Sequence, residues 1–169
     1  MTLFHETADS NEPEILLKLG ELYLELGRHE EAAANIERSL AMCRATGIRI
    51  LEADGFNGLG DVLLRTGQPG QARAHYASAL RLASEITSPL VTARAHAGLA
   101  RACEALGDTL QARHHWQEAL TGYAAVGAPE ADDIRTQLSG AGAPAAEQNG
   151  ADGAAGTSAM AATAVAPGP

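Results

Sequence analysis

From Pro13 onward, apolar residues return at the spacing of an amphipathic helix, with Leu16, Leu19, Leu22, Tyr23 and Leu26 at i, i+3, i+6, i+7 and i+10. Gly27 follows, a residue that reaches the left-handed conformation closing a helix at little steric cost. A second stripe runs through Ala32, Ala33, Ile36, Leu40 and Cys43 and stops near Gly47. This helix–glycine–helix unit returns twice more without a gap, in registers 16–55, 56–95 and 96–135. Leu19, Leu59 and Leu99 share a column, as do Gly27, Gly67 and Gly107, Ala32, Ala72 and Ala112, and Leu40, Leu80 and Leu120. A fixed period of forty residues predicts a solenoid, whose units bury their apolar faces only by stacking on one another. The predicted fold is all-α: three helical hairpins, hence six helices, closed by a short capping helix.

The punctuation of the chain supports these elements. Pro69 falls in the first turn of the second unit's second helix, where a missing N–H costs nothing. Asp108, with Gln111 three residues on, resembles a capping box with Asp in place of Ser or Thr. Pro89 and Pro129 share a column, and each opens the helix that follows. Over 129–138, Ile134 and Leu138 can cover the last unit while Glu130, Asp132, Asp133 and Arg135 face water, as a solvating cap requires. The repeat domain is thus expected over 13–138. Residues 1–12 are mostly polar and read as flexible. Within them Leu3 and Phe4 align, forty residues on, with Cys43 and Arg44, which suggests that the chain begins inside a longer array. From 139 to 169 Ala, Gly, Pro, Ser and Thr dominate; such a segment buries too little apolar surface to offset ordering its backbone, and it is predicted to be disordered.

Composition narrows the function. Abundant Ala and Gly with only 4% aromatics favour closely packed helices over sheets. A net charge of −9, with 12 Lys and Arg scattered among 21 Asp and Glu, argues against nucleic acid and anionic membrane surfaces as partners. No apolar run approaches the roughly 18 residues of a membrane span, and no leader pattern opens the chain, so a cytoplasmic protein is expected. Cys43 and Cys103 lie in apolar helical contexts without a CxxC motif and read as buried free thiols.

The columns resemble the tetratricopeptide repeat, whose pattern is a large residue, Leu-Gly, an aromatic, a small residue where the helices cross, a second aromatic and another Ala. The first unit supplies Leu16, Leu19-Gly20, Tyr23, Ala32, Ile36 and Ser39, and the second Phe56, Leu59-Gly60, Leu63, Ala72, Tyr76 and Ala79. The third supplies His96, Leu99-Ala100, Cys103, Ala112, Trp116 and Ala119. The family's final Pro is absent, and the period is forty rather than about 34, an excess expected to lengthen the second helix and its outgoing turn. Forty-residue versions occur in signalling scaffolds and in the sensor arrays of bacterial transcription regulators. The turn motifs and the Ala/Gly/Pro tail are similar to the C-terminal arrays of SARP-type actinobacterial antibiotic-regulatory proteins. The winged-helix and ATPase modules of such regulators have no counterpart here, and no GxxxxGK[ST] occurs.

The resemblance implies a concave groove lined by the first helix of each unit. Its exposed columns fall on Glu14, Leu17, Glu21, Leu24 and Glu25, then Asp54, Asn57, Asp61, Leu64 and Arg65, then Arg94, Ala97, Arg101 and Glu104. Such a groove would be acidic at its N-terminal end and basic towards the third unit. Leu17, Leu24 and Leu64 are apolar in columns where solvation alone would not select them. Two readings fit: the charges solvate a helix face, or the groove takes a peptide or amphipathic helix with charges of opposite sense. The family's clamp for C-terminal carboxylates needs Lys and Asn where Leu17 and Glu21 stand, so a chaperone-tail role is not expected.

Nothing in the chain points to catalysis, a cofactor or a metal. His114 and His115 are adjacent, hence about 100° apart on a helix, and no third ligand accompanies them. His96 occupies a core column and is expected to pack with one nitrogen bonded, while Tyr76 and Trp116 share a core column rather than forming a stacking platform. The leading function is a protein-interaction module that binds a peptide, a helix or a neighbouring domain, as the regulatory part of a bacterial transcription regulator. A self-association scaffold and a small-molecule sensing domain are the alternatives.

Overall fold

The computed structural model describes residues 11–140; residues 1–10 and 141–169 lie outside the described residues, and of the tail predicted to be disordered only Ser139 and Gly140 are described, where they continue the last helix. The described residues form seven helices: α1 Glu12–Glu25, α2 His29–Thr46, α3 Arg49–Arg65, α4 Pro69–Ile86, α5 Pro89–Ala105, α6 Thr109–Ala125 and α7 Glu130–Gly140. Each helix packs on the next in sequence, and α1, α3 and α5 also touch one another in order, which makes them the inner layer of a helical-hairpin solenoid.

The glycine column ends each inner helix as its conformation requires, with φ of 72° at Gly27, 75° at Gly67 and 79° at Gly107. The turn is closed each time by the same long-range bond, in which Arg28, Gln68 and Asp108 N–H donate to Tyr23, Leu63 and Cys103 C=O at 2.8, 2.8 and 2.9 Å. Asp108 Oδ1 accepts from Gln111 N–H at 3.1 Å, the helix-capping half of the expected box. The outgoing turns of the first two units are residues 47–48 and 87–88 and that of the third is 126–129, so in the first two the added length of the forty-residue repeat resides in the helices and not in a longer turn.

Packing within a unit turns on one small and one large column. Ile36 and Tyr76 are 1% and 0% exposed. A methyl group on Gly20 would lie 2.5 Å from Ile36 Cγ1, and one on Gly60 2.5 Å from Tyr76 Cε1. The same side chains also reach forward into the next unit, where a methyl on Gly58 would meet Ile36 Cδ1 at 3.0 Å and one on Gly98 would meet Tyr76 Cε1 at 2.2 Å. Each large residue is therefore wedged between two glycines of successive inner helices. Cys43 and Cys103 are buried free thiols, and burial raises the pKa of both. Leu19 departs from its column: Leu99 is buried, whereas Leu19 stands 37% exposed, because no helix covers the outer face of α1 among the described residues. The cap α7 lays Ala131 and Ile134 against Ala93, Ala97 and Trp116 of the last unit.

Candidate interaction groove

The inner helices α1, α3 and α5 enclose a cavity of about 650 Å³ on the concave side. Eight of the groove residues expected from the sequence line it: Glu21, Leu24, Glu25, Asp61, Leu64, Arg65, Arg94 and Arg101. A smaller cavity of about 110 Å³ beside it takes in Glu14, Leu17 and Asp54, with Glu21 and Arg94 common to both.

Four expected residues are placed differently, and one of them, Ala97, is 8% exposed in the core cluster with Ala131 and Ile134. Leu17 and Leu24, read as apolar residues in exposed columns, are 6% and 7% exposed and pack with Ile36, Leu40 and Val62 in the core. Asn57 is fully buried, and its amide reaches Val91 C=O across the α3–α5 contact at the long limit of a hydrogen bond, 3.5 Å. Leu17 and Asn57 share a column, which is covered because each inner helix lies close against the next, α1 on α3 and α3 on α5. Glu104 is exposed but belongs to a separate pocket with Trp116 and Leu138, accepting from Trp116 Nε1 at 2.7 Å and from Gln137 Nε2 at 3.2 Å.

The expected gradient from acidic to basic is present in the sequence but closed on itself in space. Arg94 donates to Asp54 at 3.0 Å and to Glu21 at 3.1 Å, and Arg101 donates to Asp61 at 2.8 Å. Asp54 and Arg94 share one column and Asp61 and Arg101 another, each pair forty residues apart, so the repeat itself sets the ion pairs in register. Asp61 also accepts from Tyr76 Oη at 2.6 Å, and burial together with that carboxylate pushes the phenol pKa well above its ordinary value. Burial raises Glu21, but the Lys18 hydrogen bond and the Arg94 charge outweigh it and hold the carboxyl below its usual range. In the more enclosed Asp54 burial prevails over the same guanidinium, and its pKa is raised.

Charges that line the cavity and enter no ion pair among the described residues are Glu25, Arg65 and Glu130. With half-buried Leu64 and exposed Leu90 they form the part of the groove left for a partner. Lys18, Leu90 and Glu130 were not expected in the groove. The period could have shown two of them, because Ile50, Leu90 and Glu130 fall in one column and make α7 the next inner-layer helix.

Outside the groove, His96 Nδ1 lies 3.1 Å from His115 Nδ1, one ring donating and the other accepting, and both pKa values are lowered by burial and by neighbouring histidine charge. The contact repeats that of Phe56 with His75 one unit earlier, with ring centroids 6.0 Å apart. Among the described residues no group of three or more His, Cys, Asp or Glu could hold a metal ion, and no helix is long and apolar enough to cross a membrane.

Comparison with known families decides the assignment, since the tetratricopeptide repeat matches residues 11–85 and 49–125. The chain belongs to the tetratricopeptide repeat family. Tetratricopeptide repeats generally mediate protein–protein interaction, and the cavity lies on the face that the inner helices of such an array present. No curated protein matches the chain.

Proposed function

We propose that this tetratricopeptide array binds a protein segment in the 650 Å³ groove, held by Leu64 and Leu90 and oriented by Glu25, Arg65 and Glu130. The observation that carries this reading is the division of labour among the groove charges. Glu21, Asp54, Asp61, Arg94 and Arg101 are consumed in pairs that fix the floor, whereas Glu25 and Arg65 sit exposed on its rim in one column of successive units. A fitting partner is a helix or extended peptide with an apolar anchor flanked by charges of both signs. We further assign the array to the regulatory part of a bacterial transcription regulator. Support for that assignment is the forty-residue period and the Leu-Gly, Gly and Ala columns that resemble such regulators' sensor arrays.

Selection of binders from a peptide display library tests the groove. Arg65→Glu and Leu64→Ser should each weaken a selected peptide by about tenfold or more, the scale of one lost rim charge or apolar anchor. A selected peptide indifferent to both substitutions would place the binding surface elsewhere.

A further inference from the structure

The outer face of α1 carries an apolar stripe that nothing among the described residues covers. Ile15, Leu19, Leu22 and Leu26 are 53%, 37%, 50% and 63% exposed. In the later units the columns of Ile15, Lys18 and Leu22 lie under the second helix of the preceding unit and carry smaller residues, while the Leu19 column keeps Leu59 and Leu99. Gly55 and Ala95 stand where α1 has Ile15, Gly58 and Gly98 where it has Lys18, and Val62 and Ala102 where it has Leu22. The covering helix uses that room, since a methyl on Gly55 would meet Leu40 Cδ2 at 2.7 Å, besides the Gly58 and Gly98 contacts described above. A further unit stacked on α1 in this geometry would drive its Leu40 equivalent onto Ile15 and its Ile36 equivalent onto Lys18. The face is therefore built for a helix that stands further off and brings bulky side chains of its own.

The stripe has the spacing of a coiled-coil seam, with steps of four, three and four residues from Ile15 to Leu26. We propose that its occupant is a second copy of this chain, α1 packed antiparallel on α1 about a twofold axis. Leu19 of each copy then layers on Leu22 of the other, and Ile15 on Leu26, giving four apolar layers. Charge supports this orientation. Lys18 and Glu25 lie on the same flank of the seam a heptad apart, and antiparallel pairing sets each Lys18 beside the Glu25 of the other copy. The exposed bond from Lys18 to Glu21, 2.9 Å within α1, is too weak to compete strongly. At the opposite end the exposed face of α7 presents Asp132, Asp133, Arg135 and Thr136, which match the stripe of another copy poorly, so pairing of α1 on α1 about a twofold axis is favoured over a head-to-tail chain.

Sedimentation equilibrium of the full chain tests the proposal. The chain should be dimeric, and Leu22→Glu should make it monomeric with an unchanged helical circular-dichroism spectrum, since Leu22 is half exposed in the single copy. Lys18→Glu and Glu25→Lys should each raise the dimer dissociation constant by about tenfold or more, and the two together should restore it. Lys18 and Glu25 also line the groove, so the two surfaces are separated by Arg65→Glu, which should leave the dimer intact, and by Leu22→Glu, which should leave the affinity for a selected groove peptide unchanged. A chain that stays monomeric to about 100 μM, well beyond the affinity of a specific interface, would overturn the proposal. So would a dimer indifferent to Leu22→Glu, or a charge swap that fails to restore association.

Discussion

Thr87 occupies a position that the repeat otherwise reserves for glycine. Gly47 and Gly127 stand in the same column with φ of 74° and 67°, and Thr87 adopts φ 54°, the one non-glycine residue with positive φ among those described. A β-branched side chain in the left-handed region crowds its own carbonyl, at a cost of about 1–2 kcal/mol, part of which glycine gives back through the greater entropy of its unfolded chain. Thr87→Gly should therefore stabilise the protein by about 0.5–1 kcal/mol in urea unfolding, and a neutral or negative change would show that the turn is not strained. At this scale the sequence was informative where a residue type has one physical use. The Gly27, Gly67 and Gly107 column named its conformation in advance. It was silent on Leu17 and Asn57, because family columns describe which way a side chain faces and not how close the neighbouring helix comes.

Among the elements, the spacing between inner and outer helices rests on the wedging of Tyr76. Its ring is fully buried between Gly60 and Gly98, and its hydroxyl is tethered to Asp61 at 2.6 Å, so the ring cannot swing away from an added group. Gly98→Ala would place a methyl 2.2 Å from Cε1, and overpacking of this kind should destabilise by about 1–3 kcal/mol. Gly70 gives the contrast within the same repeat. A methyl there meets nothing within 4 Å, so Gly70→Ala should be neutral or gain about 0.5 kcal/mol from helix propensity. Thermal melts of the two variants, falling on opposite sides of the parent or nearly so, would verify that glycine is needed at one site for space alone; equal effects would refute it. Helices and their order were legible because a stripe with a 3.6-residue period and a glycine stop suffices to define each. The second glycine column, Gly58 and Gly98, was visible as well but had no reading until the forward reach of Ile36 and Tyr76 was known.

Across the whole molecule, Arg94 is the group that ties all three helical hairpins together. Its guanidinium on α5 holds Asp54 on α3 and Glu21 on α1, and these side chains retain 30%, 23% and 38% of their exposure. That places the network between a surface pair, worth little, and a buried one, whose disruption strands a charge. Arg94→Gln should thus cost about 1–2 kcal/mol, and Asp54→Asn added to it should recover part of the loss by removing the stranded carboxylate. Burial already raises the Asp54 pKa, and losing Arg94 raises it further, so the folded state takes up a proton there more readily than the unfolded chain. The deficit is then full at neutral pH and shrinks as pH falls through the folded pKa of Asp54. In a solenoid, where stability is a sum over units and their interfaces, the loss should also appear as lost cooperativity. Trp116, the single tryptophan, reports on the third unit, whereas far-ultraviolet circular dichroism reports on all helices. The two probes should give coincident urea transitions in the parent. In Arg94→Gln the circular-dichroism transition should begin earlier than the fluorescence transition, because the first hairpin has lost its long-range anchor to the third. Coincident transitions in the variant would mean that apolar stacking alone couples the units, leaving the charge ladder to shape the groove without holding the array together.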